Sequence, residues 1–319
     1  MSATPATCLV TGASGFIGRH LVEALLASGT RVAALCRPQS VWPQHWRTGV
    51  VRVDCADWSG EGIRAAIGGY SFEWLFHLAA YGVVPTDRDD AAMVRINAQL
   101  PPELVRLCGE RKAGMVMAGS SAEYLPPHGR QKLTEESPLE DRKAYGASKA
   151  QGAMAACRVA DEIGVKLRVL RLFNVYGPGE AKHRLLPNLV AGLSANHRVA
   201  LSEGSQMRDF VYVGDVVEAL LAAAGPMKDH AAGIFNVATG QGHSVREFAT
   251  MTANLLGGSE KLLAFGDVPM RPDEIEWLVG DSAKLRASAG WWPRHDLASG
   301  IAASLAAMTG ERTKTRAVP

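Results

Sequence analysis

The chain is poor in cysteine. Its five cysteines (Cys8, Cys36, Cys55, Cys108 and Cys157) are scattered among 319 residues, with no C-x-x-C pair. That usage excludes a disulfide frame and a zinc knuckle, and it fits reduced thiols in a cytosolic protein. The nine histidines fall in no H-x-x-x-H or comparable ligand spacing, so no metal is expected. No apolar run is long enough to span a bilayer, and the first seven residues are small and polar, unlike a signal peptide. Charge of neither sign is in excess: the net charge of +2 gives no reason to expect nucleic acid or an acidic membrane surface. Repeats and low-complexity segments are also missing. With 47% hydrophobic residues over this length, the chain can bury a large core and build two lobes around one cleft.

Glycine is plentiful where it matters. Thr11-Gly12-Ala13-Ser14-Gly15-Phe16-Ile17-Gly18 follows the apolar run Cys8-Leu9-Val10 and precedes an apolar-periodic stretch. The order reads as strand, tight turn, helix. A backbone that turns sharply and approaches a pyrophosphate has no room for Cβ atoms. The helix that follows aims its free N–H groups and positive dipole end at the phosphates. The spacing is G-x-x-G-x-x-G, not the commoner G-x-G-x-x-G, and taken alone it also describes an ordinary strand–helix turn.

The first half alternates β-rich runs with helical patterns. Ile17, Leu21, Val22, Leu25 and Leu26 mark one helix face, stopped by Gly29. Runs at 31–35, 50–53, 74–78, 115–118 and 167–172 read as strands. The pattern predicts an α/β fold, a doubly wound parallel sheet with ligands bound outside the carboxyl ends of its strands. After about residue 175 the rhythm breaks at Gly177-Pro178-Gly179. We expect a dinucleotide-binding domain over 1–175 and a smaller C-terminal α/β substrate lobe over 176–310. Residues 233–240 are expected to return to the main sheet, and 311–319 to form a loose tail.

Two further features carry chemistry. In Tyr145-Gly146-Ala147-Ser148-Lys149, Tyr145 and Lys149 share a helix face. A lysine cation beside a tyrosine favours the phenolate, which lets the tyrosine exchange a proton with a substrate oxygen near neutral pH. A surface Tyr/Lys pair has the same spacing. Gly119-Ser120-Ser121 closes a strand, where a hydroxyl can hydrogen-bond a reacting carbonyl oxygen; a serine-rich turn reads the same.

In combination these features resemble the extended short-chain dehydrogenase/reductase superfamily, specifically its sugar-nucleotide epimerase/dehydratase/reductase group. The likeness extends through His77-Leu78-Ala79-Ala80, Arg171 to Pro178, Arg208 to Asp215, Phe235-Asn236-Val237-Ala238 and Arg271-Pro272. It implies a Rossmann-type fold and a homodimer built on residues 90–112 and 145–163. It assigns the phosphate turn to Gly12, Ser14, Gly15, Phe16, Ile17 and Gly18. Other cofactor contacts fall to Asp54, as acceptor of the adenine amino group, and to Cys55, Leu78, Ala79, Ala80, Asn97 and Phe173. By the same resemblance Tyr145 is the acid/base, and Lys149 lowers its pKa and holds the nicotinamide ribose. Ser120 polarises the substrate oxygen. Ser121, Asn174 and Arg184 would touch the sugar nucleotide, and Arg208 and Arg271 would clamp its diphosphate.

Two departures refine the expectation. The second strand ends Leu35-Cys36-Arg37, with no acid for a ribose 2′-hydroxyl and an arginine suited to a 2′-phosphate. NADP(H) is therefore favoured, with NAD(H) as the alternative. Dehydratases of the group carry acidic residues just after the active-site Ser/Thr; here Ser121 and Ala122 stand there. Glu123 comes one place late, facing away if the segment is extended. The expected activity is reduction of a nucleotide-diphospho-4-keto-6-deoxyhexose. The alternative is a nucleotide-sugar 4-epimerase with tightly bound NAD, and a non-catalytic NADP(H)-sensing module stands outside both.

Overall fold

The computed structural model describes residues 5–83, 87, 89–227 and 232–316. β1 (Thr7–Thr11) is buried along its whole length. Cys8 and Val10 feed the core on one face of a sheet and Leu9 the core on the other. A strand covered on both faces reads as a continuous apolar run, the pattern of a parallel sheet between two helix layers. α1 (Phe16–Ala27), β2 (Arg31–Cys36), β3 (Val50–Asp54), α2 (Gly60–Ile67) and β4 (Trp74–His77) follow. Next, α3 (Asp90–Met93) passes through a π-helical stretch, Val94–Gln99, into α4 (Leu100–Arg111). β5 (Gly114–Ser120), α5 (Ala144–Ile163) and β6 (Leu167–Leu172) complete the first half.

The second half runs β7 (Asn174–Tyr176), α6 (Leu185–Ser194), β8 (Val199–Leu201), β9 (Met207–Arg208), β10 (Phe210–Tyr212) and α7 (Val213–Ala224). It continues with β11 (Ala232–Val237), β12 (His243–Ser244), α8 (Val245–Leu256), β13 (Leu263–Phe265), β14 (Trp277–Leu278), α9 (Ala283–Ala289) and α10 (Leu297–Arg316). The main sheet has seven parallel strands in the order β11-β6-β5-β4-β1-β2-β3. Strand order reverses between β1 and β4, and the crevice at such a reversal is where open α/β sheets take ligands. Thr11 and His77 close the two strands there, with Thr11 Oγ1 and His77 Nδ1 2.8 Å apart.

The division of the chain is less simple than a cut near residue 175. β11 lies at the edge of the main sheet beside β6. α7 packs against α1, with Val216, Val217 and Leu220 in the same core as Leu21 and Leu25. Leu285 of α9 joins that core too. The small lobe keeps its own core, which includes Leu186, Leu189, Val190, Phe210, Phe248 and Ile301. Asp209, between β9 and β10, ties the segment after β11 to the segment after β14. Its buried carboxylate accepts the Thr239 N–H at 2.8 Å, the Thr239 hydroxyl at 2.6 Å, the Gly240 N–H at 2.9 Å and the Gly280 N–H at 3.2 Å.

The expected loose tail is helical where it is described. α10 runs on to Arg316. Extending a formed helix adds one hydrogen bond per residue fixed, and no proline stands in the way before Arg316. Residues 317–319 lie outside the described part. Among the described residues, no helix is long and apolar enough to cross a membrane, and no group of His, Cys, Asp and Glu could hold a metal ion.

Candidate active site

The glycine turn is built by exclusion. Gly12 has φ +70°, and a Cβ there would come 2.7 Å from Ala79 N and 2.8 Å from the Leu78 carbonyl carbon. The turn therefore seats against Leu78-Ala79-Ala80, just past β4, and Ala79 N–H donates to Thr11 Oγ1 at 3.3 Å. A Cβ on Gly18 would lie 2.1 Å from Gly12 O. Gly15 caps α1 with no side-chain hydrogen bond, and no acidic residue occupies the first turn. Phe16 and Ile17 thus open a helix whose first N–H groups and dipole are available to an anion. Ser14 is half-buried in the turn, and its carbonyl accepts Arg19 Nε at 2.9 Å. This cradle, free of side chains and of a cap, fits a dinucleotide pyrophosphate.

Past the ends of β2 and β3 lies a cleft of about 510 Å³ lined by Arg37, Pro38, Gln39, Cys55, Ala56 and Trp58. Arg37 is exposed. Arg52 shapes the cleft's rim: it donates to the carbonyls of Pro38 at 2.8 Å and Ser40 at 3.1 Å and lies over the Trp42 ring. Asp54, expected to receive an adenine amino group, already receives Arg52 Nε at 2.8 Å. An exposed carboxylate has acceptor positions to spare for a second donor.

Ser120, Tyr145 and Lys149 converge at the carboxyl end of β5. The Ser120 side chain faces the Tyr145 hydroxyl. Lys149 is buried, and its Nζ donates to the Ala118 carbonyl at 2.6 Å. The proton balance differs from the expectation. The Tyr145 hydroxyl is pushed up to about 12, chiefly by burial and then by the negative charge of Glu123. The nearby Ser120 side chain and the Arg184 cation oppose this shift, and Lys149 is not among its causes. Burial also draws the Lys149 ammonium down, against the pull of Glu123. Tyr145 in this setting carries its proton at neutral pH.

Glu123 does not sit on an extended segment. Ser121–Glu123 is a single 3-10 turn, which turns the Glu123 side chain into the protein. There Oε1 accepts the Ser120 N–H at 2.8 Å and Oε2 pairs with Arg171 Nε at 2.7 Å. Glu123 therefore presents no free carboxylate oxygen to Ser120.

Other expected contacts divide into those that face the cleft and those that do not. Asn174 Oδ1 is buried with no partner. Asn97 is spent on structure: its side chain accepts the Tyr81 N–H at 3.0 Å, donates to the Tyr81 carbonyl at 2.8 Å and meets Ser148 Oγ at 3.2 Å. It orders the segment after β4, and a cofactor would meet that segment, not the amide. The Phe173 ring is likewise a core side chain, packed beside Tyr124, and Ser121 is buried. Arg208 is not a free clamp. It is paired with Glu274, donates to the Ile275 carbonyl at 2.7 Å, and its side chain is 11% exposed. Arg271 is exposed and close enough to lower the proton affinity of Arg208. Their loop is fastened to the start of α5 by Lys143 and Asp273, 2.9 Å apart.

Arg184 stands at the cap of α6, with Nε 3.2 Å from Glu180 Oε1. Glu180 was not anticipated. Its side chain is only 7% exposed, Oε2 has no partner, and burial pushes its carboxyl up to about 6. In sequence it is merely an acid after Gly177-Pro178-Gly179; only the fold shows the orphaned oxygen. His20 was also missed: its Nε2 meets the Pro178 carbonyl at 2.8 Å, joining α1 to this loop.

Residues 8–238 match the NAD dependent epimerase/dehydratase family. The chain belongs to this family. A UDP-glucose 4-epimerase of Mycolicibacterium smegmatis is 31% identical over 92% of this chain and 96% of its own length. A dTDP-6-deoxy-L-talose 4-dehydrogenase (NAD(P)(+)) of Kitasatospora kifunensis is 28% identical over 93% of this chain and 94% of its own. Among solved structures, the UDP-glucose 4-epimerase of Thermus thermophilus in complex with NAD is 28% identical. It covers 95% of this chain and 99% of its own, with a TM-score of 0.82. The family match spans the glycine turn, the Ser120–Tyr145–Lys149 cluster and the return strand β11. It ends before the elements from β12 onward.

Proposed function

We propose that this family member is an NADP(H)-dependent reductase of a nucleotide-diphosphate 4-keto-6-deoxy sugar. The observation that carries the reading is the Ser120–Tyr145 hydroxyl pair with Glu123 withdrawn into its pair with Arg171. Elimination of water from a sugar needs an acid and base beside the reacting carbons, and the Glu123 carboxylate nearest Ser120 in sequence is engaged. Reduction needs a proton donor instead, and a tyrosine raised to about 12 holds its proton at pH 7. When bound, the reduced nicotinamide supplies the hydride that converts the sugar C4 carbonyl to a CH–O group. Ser120 donates to the carbonyl oxygen, and Tyr145 gives that oxygen its proton as charge develops. Lys149, one turn beyond Tyr145 on α5 and held by the Ala118 carbonyl, is the buried cation of the cluster. Asn174 Oδ1 is an unpartnered acceptor for a sugar hydroxyl. Arg184 and Arg271 supply cations for the diphosphate, whereas Arg208 would first have to release Glu274.

Arg37, at the rim of the adenosine cleft with no acid at Cys36, supports NADP(H) over NAD(H). A homodimer is proposed on the exposed apolar side chains Val94 and Met154, within the helices at 90–112 and 145–163. The M. smegmatis relative favours a second reading, a 4-epimerase with retained NAD, in which Tyr145 both takes and returns the proton.

The deciding experiment denatures the purified protein and identifies any nucleotide released. We expect little bound nucleotide, NADPH binding tighter than NADH, and NADPH oxidation with a 4-keto sugar nucleotide. Near-stoichiometric NAD would overturn the reductase in favour of the epimerase. In Arg37→Ala the NADPH preference should fall about tenfold. Tyr145→Phe should lose at least about 100-fold in kcat while binding cofactor normally; full activity there would remove this mechanism in either version.

A further inference from the structure

Directly behind Ser120 lies a buried ion pair that the reaction above does not use. The Glu123 and Arg171 side chains are 0% and 1% exposed. Glu123 and Ser120 cap each other: Glu123 Oε1 accepts the Ser120 N–H at 2.8 Å, and Ser120 Oγ accepts the Ala122 N–H at 3.1 Å. Arg171, on β6 next to β5, donates to Glu123 Oε2, lies over the Tyr124 ring and reaches the Glu135 carbonyl at 3.4 Å. Gly119 leaves room for this arrangement, since a Cβ there would stand 2.8 Å from Glu123 Oε1 and 3.1 Å from Arg171 Cγ.

We propose that Glu123, clamped by Arg171, is a positioning residue of the active site: it fixes the Ser120 main chain so that the hydroxyl meets Tyr145, and it keeps a negative charge behind the Tyr145 hydroxyl. The role rests on Tyr145 acting as proton donor. A fixed anion nearby disfavours loss of that proton, so it suits a tyrosine that must enter the reaction protonated. The charged and titratable groups around Glu123 are Arg171 on β6, Tyr124 beside it in sequence, and Tyr145, Lys149 and Cys157 on α5. Glu135 and Lys284 lie farther out, facing the same cluster. The Arg184 cation also faces Tyr145.

Removing one partner would strand a buried charge, so both are replaced together. In Glu123→Gln/Arg171→Met the amide oxygen still accepts the Ser120 N–H, and the charge is gone. In Glu123→Leu/Arg171→Met both are gone. Each protein is compared with its own Tyr145→Phe derivative, so that ultraviolet titration isolates the Tyr145 phenolate. The expected onset of that ionisation moves about one pH unit lower in both double variants. NADPH affinity should stay within about threefold of wild type. In the leucine variant kcat should fall about 100-fold with KM within about threefold, and the glutamine variant should recover about tenfold of that loss.

An unmoved Tyr145 titration with wild-type kcat in both variants overturns the proposal. Failure of both to fold also overturns it, by assigning the pair to stability alone. The titration needs no sugar substrate. If the wild-type protein reduces no sugar nucleotide, the proposed reaction falls, and the effect of Glu123 on Tyr145 is still decided.

Discussion

At the scale of single residues, the site is governed by what burial does to charge. Glu180 shows this most directly. Its carboxyl is lifted from 4.5 to about 6 by burial, and the Arg184 pair offsets only part of that. In the folded protein it therefore binds a proton more readily than in the unfolded chain. Stability contributed by the protonated form is present below the unfolded value of 4.5 and is lost as pH rises through about 6. Glu180→Gln should thus raise unfolding stability by about 2 kcal/mol at pH 7–8 and by little near pH 4. Thermal or urea unfolding at the two pH values checks it; equal gains at both would mean the carboxylate is not destabilised by burial. His77 shows the opposite sign for the same cause: burial holds it down to about 3, so it stays neutral while bridging to Thr11.

At the scale of elements, close backbone approach decides which helices can meet. α5 carries Tyr145 and Lys149, and it must lie against the π-helical stretch at 94–99. Gly152 makes that possible: a Cβ there would stand 1.9 Å from the Asn97 carbonyl oxygen and 2.9 Å from its carbon. Backbone on both sides leaves little to yield. Gly152→Ala should cost about 1–3 kcal/mol of unfolding free energy, despite the higher helix propensity of alanine. It should also lower kcat, because the helix bearing Tyr145 is displaced. Unchanged urea unfolding would show that the two helices can part at no cost. Gly146, nearer the start of α5, meets the Ala122 carbonyl in the same way, with a Cβ distance of 2.1 Å. Two glycines in one helix interior weaken it locally, and they let it press against both neighbours of the active site.

At the scale of the whole molecule, the hydrogen bonds of Asp209 fasten the segment before β10 to the chain just past β11, at the edge of the main sheet. The outer helices raise the question of assembly. Val94 is 41% exposed and Met154 44%, an apolar presentation on neighbouring helices that a second copy would cover. If it does, Met154→Glu should convert a dimer to a monomer in light scattering while leaving NADPH binding near wild type. A wild-type protein that is already monomeric at micromolar concentration would refute the dimer.

Much of this was readable along the chain. The parallel sheet follows from apolar runs alternating with helical periods, because strands covered on both faces need no polar side. The tight turn proposed to hold the pyrophosphate follows from glycines spaced where Cβ atoms would strike backbone. The proposed catalytic pair rests on a four-residue spacing that puts Tyr145 and Lys149 on one face of a helix. These are local consequences of geometry, so local sequence determines them. Other features depend on long-range neighbours. Glu123 could be seen to miss the usual acidic position, but its inward turn and its pairing with Arg171 exist only because β5 lies beside β6. Arg208 reads as a free cation until the distant Glu274 neutralises it. Asn97 reads as a cofactor contact until the Tyr81 backbone claims its amide. The proton affinities of Tyr145 and Glu180 were decided last, because desolvation and nearby charge belong to the assembled cleft and to no segment alone.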